Sequence, residues 1–335
     1  MDAYETNTTW TEIAGRIRAA QHLALITHGK PDGDALGSLL ALARALPQKD
    51  KIADLYVMGP LEPSLARIIG DTPYRRAEEA PPGDEHDLVI IVDTGAWSQL
   101  QPLETWLRAR RERTIVIDHH SRGDDVAALR MVNPRAAAAA ELVVDLLDEL
   151  GCELTGGAGG VAEALYVGIA TDTGWFRFTN VSPRTFTVAA RLLECGVDKS
   201  RLYEILEENY HPGRLALEAR ALASVEYARG GAVAIQSLRL EDFRETGCSV
   251  EDLTNIVNGP MIVGQVRVSI LLSETGPAQT KLSFRSKPTT GGGDWMDVNR
   301  LAQRFGGGGH VFAAGARLEV SLDEAKQTLL AALEE

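Results

Sequence analysis

Four short aliphatic runs recur over the first 120 residues, at 23–27 (LALIT), 52–58, 88–92 (LVIIV) and 114–117 (TIVI), with amphipathic stretches such as 36–46 and 104–111 between them. Runs this short and this apolar suit strands buried on both faces, and intervening helices are what parallel neighbours need as crossovers. The expected fold class is α/β, a mostly parallel sheet covered by helices on both faces. Residues 137–150, 161–170, 183–195 and 199–209 read as further helices. A single long helical segment is expected over 212–227. Gly230-Gly231 then opens strand-like runs at 232–238, 266–272 and 281–285, followed by helices at 297–305 and 322–333. The expected division is a first domain over 1–210, a linker helix over 211–229, and a smaller mixed α/β domain over 230–335. A chain of 335 residues suits two domains of ordinary size. The loop PTTGGG at 288–293 reads as an excursion from the second domain.

The net charge of −13 argues against a long nucleic acid as partner, because phosphate chains would be repelled unless basic residues were gathered on one face. A short phosphate ligand held through metal ions escapes that objection. Aromatic residues make up 6%, too few for an extended base-stacking groove. The three cysteines, Cys152, Cys195 and Cys248, are odd in number and widely spaced, which argues against a disulfide framework and against a cysteine zinc site. The polar start MDAYETNTTW does not read as a signal peptide, and no apolar run is long enough to span a membrane. A cytoplasmic protein without a membrane partner is expected.

The acidic and histidine residues fall where such a sheet binds ligands, beyond the carboxyl ends of its strands. LALIT runs into His28, Asp32 and Asp34 (THGKPDGDALGS); LVIIV runs into Asp93 (VDTG); TIVI runs into Asp118, His119 and His120. The helix at 161–170 runs into Asp172 (GIATDTG). A lone aspartate after a strand is commonly a turn former, and D-x-D before a helix is commonly an N-cap. Four such segments aimed at one edge point instead to a metal site. Carboxylates with a few imidazoles and no thiolate suit Mn²⁺, with Mg²⁺ next and Zn²⁺ or Fe²⁺ behind them. Six or seven donor groups exceed the needs of one ion and suit two, roughly 3.5–4 Å apart.

PDGDALGS, VDTG, DHH and TDTG, in this order, resemble the four motifs of the DHH phosphoesterase superfamily. SFRS at 283–286, DVNRLA at 297–302 and FGGGGHVFAAGA at 305–316 resemble its DHHA1 companion domain. Within the superfamily the chain is most similar to nanoRNA phosphodiesterases that also hydrolyse 3′-phosphoadenosine 5′-phosphate, some relatives of which act on linear or cyclic dinucleotides. The resemblance implies that His28 and Asp32 hold one ion, Asp34, His119 and Asp172 a second, and that Asp93 bridges both. It also implies that His120 touches the phosphate, and Asp118 would orient the histidines. One departure stands out: where relatives place serines or threonines, this chain has Asn133-Pro134-Arg135 and then five alanines, so an N-cap or hydroxyl contact is lost there.

In the second domain, Gly306–Gly309 before His310 can offer backbone N–H groups as an anion nest, and Arg285 supplies a planar permanent cation. Arg285, Gly308, Gly309 and His310 are expected to hold the distal phosphate or base of the substrate, with Lys287 and Arg304 as accessories. Trp175 and Phe176 suit core packing or the stacking of one base. His22, His86 and His211 have no motif context and read as structural. The expected activity is hydrolysis of short oligoribonucleotides, dinucleotides and 3′-phosphoadenosine 5′-phosphate to nucleoside monophosphates, and the resemblance implies a homodimer. The alternatives are a RecJ-like single-strand exonuclease, an inorganic pyrophosphatase, or a nucleotide-binding sensor without turnover.

Overall fold

A computed structural model describes residues 4–287 and 296–334, so the loop expected at 288–293 lies outside the described residues. The chain divides into two units, the first ending at Asn209 and the second beginning at Tyr210. The first unit opens with α1 (Trp10–Ala19), β1 (His22–Ile26), α2 (Gly33–Ala45), β2 (Ile52–Val57), α3 (Pro63–Ile69) and β3 (Arg75–Arg76). It continues through β4 (Leu88–Val92), α4 (Glu104–Arg108), β5 (Thr114–Asp118) and β6 (Leu129–Val132). Four helices follow: α5 (Ala139–Leu150), α6 (Val161–Asp172), α7 (Pro183–Glu194) and α8 (Lys199–Glu207).

The six strands form one parallel sheet in the order β3-β2-β1-β4-β5-β6. Alternation along β1 explains why the sheet is covered twice. Leu23 and Leu25 enter a core with Leu36, Leu39 and Leu40 of α2, whereas Ala24 and Ile26 face Leu100, Leu103 and Leu107 on the other side. Each fully buried aliphatic side chain of this kind contributes about 1.5–3 kcal/mol. Two edge strands escape the apolar-run criterion: β3 is only Arg75-Arg76, and β6 (LRMV) is half-buried over three of its four residues.

The chain winds outward from β1 to β3 and then returns to place β4 on the other side of β1. That reversal is the topological switch point at which open α/β sheets bind ligands. It sets the segments after β1, β4 and β5 side by side. Helices α2 and α6 close over them because glycines face each other: a Cβ at Gly37 would overlap the Ala164 carbonyl, and one at Gly168 would press on Ala140 and Asp34. Near the other edge of the sheet, His22 and His86 donate from Nε2 to Asp54 Oδ2 at 3.0 and 3.1 Å, and Arg75 lies 3.4 Å from the same oxygen. Burial would raise the Asp54 carboxyl, but the bonds from His86 and His22 and the Arg75 charge hold it below its ordinary value. His22 and His86 thus tie β1 and β4 to β2.

The second unit contains α9 (Pro212–Ala223), β7 (Glu226–Ala228), β8 (Val233–Leu238), α10 (Leu240–Thr246), β9 (Val268–Gly276) and β10 (Gln279–Ser286). It ends with α11 (Val298–Gln303), β11 (Gly308–His310), β12 (Ala313–Leu318) and α12 (Leu322–Glu334). The helix expected over 211–229 is helical only as α9. Ser224 closes it by bonding back to the Ala221 carbonyl, and Tyr227 instead pairs with Ala234 in a strand. The sheet runs β11-β12-β10-β9-β8-β7, antiparallel except for β8 beside β9, and packs Val233, Ile270, Leu282 and Phe284 against Leu301, Leu322 and Leu329. No helix among the described residues is long and apolar enough to cross a membrane.

Candidate active site

The carboxyl ends of β1, β4 and β5 and the end of α6 bring His28, Asp32, Asp34, Asp93, Asp118, His119, His120 and Asp172 together. Asp93 stands at the centre. It is 3% exposed and holds φ at +60°, a left-handed conformation that costs a non-glycine residue free energy and marks functional positions. Its Oδ2 lies 3.4 Å from His28 Nε2, and its Oδ1 lies 3.3 Å from His119 Nε2 and 3.7 Å from His120 Nδ1. Oδ1 is buried without a hydrogen bond. Burial would raise this carboxyl, yet His119 and His28 outweigh that and hold it at about 2.

Two groups of donors meet around it. His28, Asp32 and Asp93 form one, and Asp34, His119 and Asp172 form the other, each with its ligand atoms within 4.8 Å of one another. Asp93, His119 and His120 form a third such group. Asp32 is also the N-cap of α2, accepting from the backbone N–H groups of Asp34 and Ala35 at 3.1 and 3.0 Å. The cap and the candidate ligand are the same carboxylate.

Asp34 shows how the alanine run is used. Its Oδ2 accepts from Ala139 N at 2.5 Å and its Oδ1 from Ala140 N at 2.9 Å, so a buried aspartate from α2 caps α5, whose own N-cap position is Ala138. The missing hydroxyl is thus replaced from another helix. The same segment orients His119, whose Nδ1 donates to the Ala136 carbonyl at 3.3 Å and leaves Nε2 facing Asp34, Asp93 and Asp172. Burial lowers the basicity of His119, but Asp93, Asp34 and Asp172 overcome it and push its pKa to about 10. Asp172, raised mainly by burial and also by the Asp93 charge, sits at about 6 despite the counter-effect of His119.

Buried carboxylates packed this closely repel one another, and the charge of His119 offsets part of that repulsion in the protein alone. A divalent cation would do so more completely. Oxygen and imidazole donors, the unbonded Asp93 Oδ1 and the absence of thiolate all fit Mn²⁺ or Mg²⁺.

Asp118 is fully buried and bonds two ways. Its Oδ1 accepts from His120 Nδ1 at 2.8 Å and His120 N at 3.1 Å, and its Oδ2 accepts from the Tyr4 hydroxyl at 2.6 Å. Tyr4 has no motif context and lies 114 residues away in sequence, so nothing local announces it. Its ring is held where a Cβ at Gly95 or Gly123 would overlap it, and burial with the Asp118 charge raises its phenol far above the usual range. The arm that carries it is fixed to β6 by Thr6 and Asn7. Tyr4→Phe removes a hydrogen bond to a charged group worth about 1.5–3 kcal/mol. We expect kcat to fall roughly tenfold with bound metal unchanged, as checked by steady-state kinetics beside metal analysis; an unaltered kcat would show that Asp118 holds His120 unaided.

In the second unit, Arg285 on β10 and His310 on β11 both stand in register with Ala313 of β12, one row across three strands. Arg285 is half-buried, burial lowers its basicity, and no carboxylate pairs with it among the described residues. The nest expected of Gly306–Gly309 is largely used up internally. The N–H groups of Gly306, Gly307 and Gly309 donate to Gln303 O, Ala302 O and Asn299 Oδ1. The glycines answer to packing, since a Cβ at Gly307 would overlap Gly315 O and one at Gly309 would crowd Ala313 and Ala314. Lys287 and Arg304 are likewise committed, to the carbonyls of Val263 and Ala332. Trp175 and Phe176 both hold positive φ; Trp175 donates to Glu207 and meets Tyr203 edge-on, and Phe176 stacks on Phe186.

Residues 22–169 match the DHH family, N-terminal domain. The chain is 34% identical to the bifunctional oligoribonuclease and PAP phosphatase NrnA of Thermus thermophilus, over 93% of this chain and 89% of that one. It is 27% identical to the protein of the same description from Bacillus subtilis, over 95% and 96%. Among solved structures, an exopolyphosphatase-related protein from Bacteroides fragilis superposes with a TM-score of 0.88 at 26% identity, covering 97% of this chain and 95% of that one. With the four motif segments gathered at the switch point of a parallel sheet, these likenesses establish that the chain belongs to the DHH family and is a phosphoesterase.

Proposed function

We propose that the chain hydrolyses short oligoribonucleotides, linear or cyclic dinucleotides and 3′-phosphoadenosine 5′-phosphate to nucleoside monophosphates, using two divalent ions, Mn²⁺ first. The observation that carries the two-ion reading is the pair of donor groups meeting around Asp93. His28 and Asp32 would hold one ion, Asp34, His119 and Asp172 the other, and Asp93 both. Ions bound there supply Lewis acidity and lower the pKa of water toward neutrality. The protein's own part is positional. Ala139 and Ala140 fix Asp34, the Ala136 carbonyl aims His119, and Asp118 with Tyr4 fixes the ring of His120 for contact with the phosphoryl oxygens. The names of the Thermus and Bacillus relatives support the substrate class. A cytoplasmic setting suits the three unpaired thiols, and light scattering tests the homodimer.

Metal affinity should be steeply pH-dependent. His119 is pushed to about 10 and Asp172 to about 6, and burial with the Asp93 charge raises Asp34 as well, so at pH 7 the metal-free site carries the His119 proton and a share of the carboxylate protons. Both must leave when metal binds, so affinity rises with pH and the rise flattens as pH approaches the His119 value. Calorimetry in two buffers of different ionisation enthalpy should show at least about one proton released per chain at pH 7.5; no buffer dependence would overturn the assignment of His119 as a ligand.

Arg285 and His310, with the adjoining edge at Gly308 and Gly309, would hold the distal phosphate or base. Remote binding of this kind orients the scissile bond. Arg285→Ala should raise KM for a dinucleotide and cost some kcat, with little effect on a small chromogenic phosphodiester that lacks the distal group. Equal damage to both substrates would place Arg285 at the reacting phosphate. The parent experiment is purified protein with Mn²⁺ against dinucleotides, trinucleotides, 3′-phosphoadenosine 5′-phosphate, cyclic dinucleotides and pyrophosphate. Turnover of pyrophosphate alone, or of none, would sink the reading.

A further inference from the structure

A second cluster of metal-binding side chains lies in the second unit and has no part in the chemistry described above. His211, Cys248 and Asp252 place Nε2, Sγ and a carboxylate oxygen within 4.8 Å of one another. The His211 Nε2 is 3.2 Å from Asp252 Oδ1 and 3.9 Å from Cys248 Sγ. Both neighbours address the same nitrogen, and the thiol also lies 3.9 Å from the Thr246 carbonyl. A neutral imidazole nitrogen has either one proton or one lone pair, so it can donate to the carboxylate or accept from the thiol, but not both. A cation seated among the three atoms satisfies all of them at once.

Each ligand is held by a separate device of local structure. His211 is the N-cap residue of α9, and its ring packs where a Cβ at Gly213 would crowd it. Cys248 follows the left-handed Gly247 that ends α10, and its N–H donates to the Phe243 carbonyl at 2.9 Å, closing the helix C-terminus. Asp252 uses Oδ2 to accept from Ser249 N at 2.8 Å and Ser249 Oγ at 3.3 Å, which leaves Oδ1 turned to His211. That division of labour, one oxygen anchored and one presented, is how protein carboxylates are oriented toward metals.

The spacing suits zinc. Tetrahedral Zn²⁺ with bonds of about 2.0–2.1 Å to nitrogen, 2.0–2.2 Å to oxygen and 2.3 Å to sulfur sets its ligands about 3.3 Å apart for N and O and about 3.6 Å for N and S. The observed 3.2 and 3.9 Å need adjustments of a few tenths of an ångström. The thiolate also sorts this site from the first: carboxylates and imidazoles alone suit Mn²⁺ and Mg²⁺, whereas sulfur selects softer ions. We infer that His211, Cys248 and Asp252 form a zinc site with its fourth position open to water, separate from the phosphoesterase centre. His211 lies two residues past Asn209, where the first unit ends, so the ion would pin the start of the second unit to the segment after α10.

Cobalt tests this without relying on activity, because thiolate-bound Co²⁺ has a near-ultraviolet sulfur charge-transfer band and the DHH motifs contain no cysteine. The chelator-treated full chain titrated with Co²⁺ should develop that band, saturating at one equivalent of thiolate-bound ion. Cys248→Ser should abolish it, His211→Ala should weaken Co²⁺ binding at this site at least about tenfold, and Asp93→Ala should leave it intact. Zn²⁺ should raise the Tm of the wild type by more than that of Cys248→Ser. No band with excess Co²⁺, or a band that survives Cys248→Ser and therefore belongs to Cys152 or Cys195, would overturn the proposal. Should Cys248→Ser fail to fold, His211→Ala decides the matter, since it keeps the thiol and removes the imidazole.

Discussion

Asp93→Ala should cost more than about 10³-fold in kcat, beyond the loss seen when a single transition-state donor is removed. The substitution acts on everything at once. Among the described residues Asp93 is the one carboxylate within 3.4 Å of both His28 and His119, so its loss separates the two donor groups. It also removes the charge that offsets two half-buried imidazoles, which makes the site less able to gather cations. Metal analysis after gel filtration should show the variant binding fewer ions than the wild type, with a thermal melt confirming that it folds. Full activity with a single ion per chain at saturation would overturn the two-ion reading.

His120→Ala should behave differently. We expect kcat to fall by about 10²–10³, the scale of one lost transition-state donor, while bound metal stays near the wild-type level. The reason lies in how the ring is tethered. Its Nδ1 is bonded to Asp118 at 2.8 Å, a partner itself held by Tyr4 at 2.6 Å, so its position depends on that chain of bonds. His119, by contrast, faces three carboxylates through one nitrogen. If metal content collapses in His120→Ala, then the group of Asp93, His119 and His120 is itself a ligand set and the role assigned to His120 is wrong.

Much of the first unit was legible because its signals are local. Aliphatic runs mark β1, β2, β4 and β5, and acidic residues directly after them mark the binding edge, since a parallel sheet leaves its ligand groups at strand ends. Other features depend on partners distant in sequence. The sequence 212–227 has helical spacing throughout, but the partner that turns Tyr227 into a strand residue is Ala234, and pairing is not written in periodicity. The glycines before His310 read as an anion nest, yet their close contacts with β12 and their internal hydrogen bonds are set by the packing of the second sheet.

The sequence by itself determined the fold class, the eight acidic and histidine residues of the candidate site and the edge of the sheet that carries them, because each follows from short-range pattern. Tertiary structure alone decided how those residues are held. Asp34 caps a helix 105 residues away, the Ala136 carbonyl orients the ring of His119, and Tyr4 reaches Asp118 across 114 residues of sequence. The partners of Asp34 and His119 are backbone groups that any residue type could have supplied, and Tyr4 meets Asp118 only through the fold, so none of these bonds leaves a mark in composition or spacing. The same holds at His211, Cys248 and Asp252, three isolated residues that only the folding of the second unit brings to a common point.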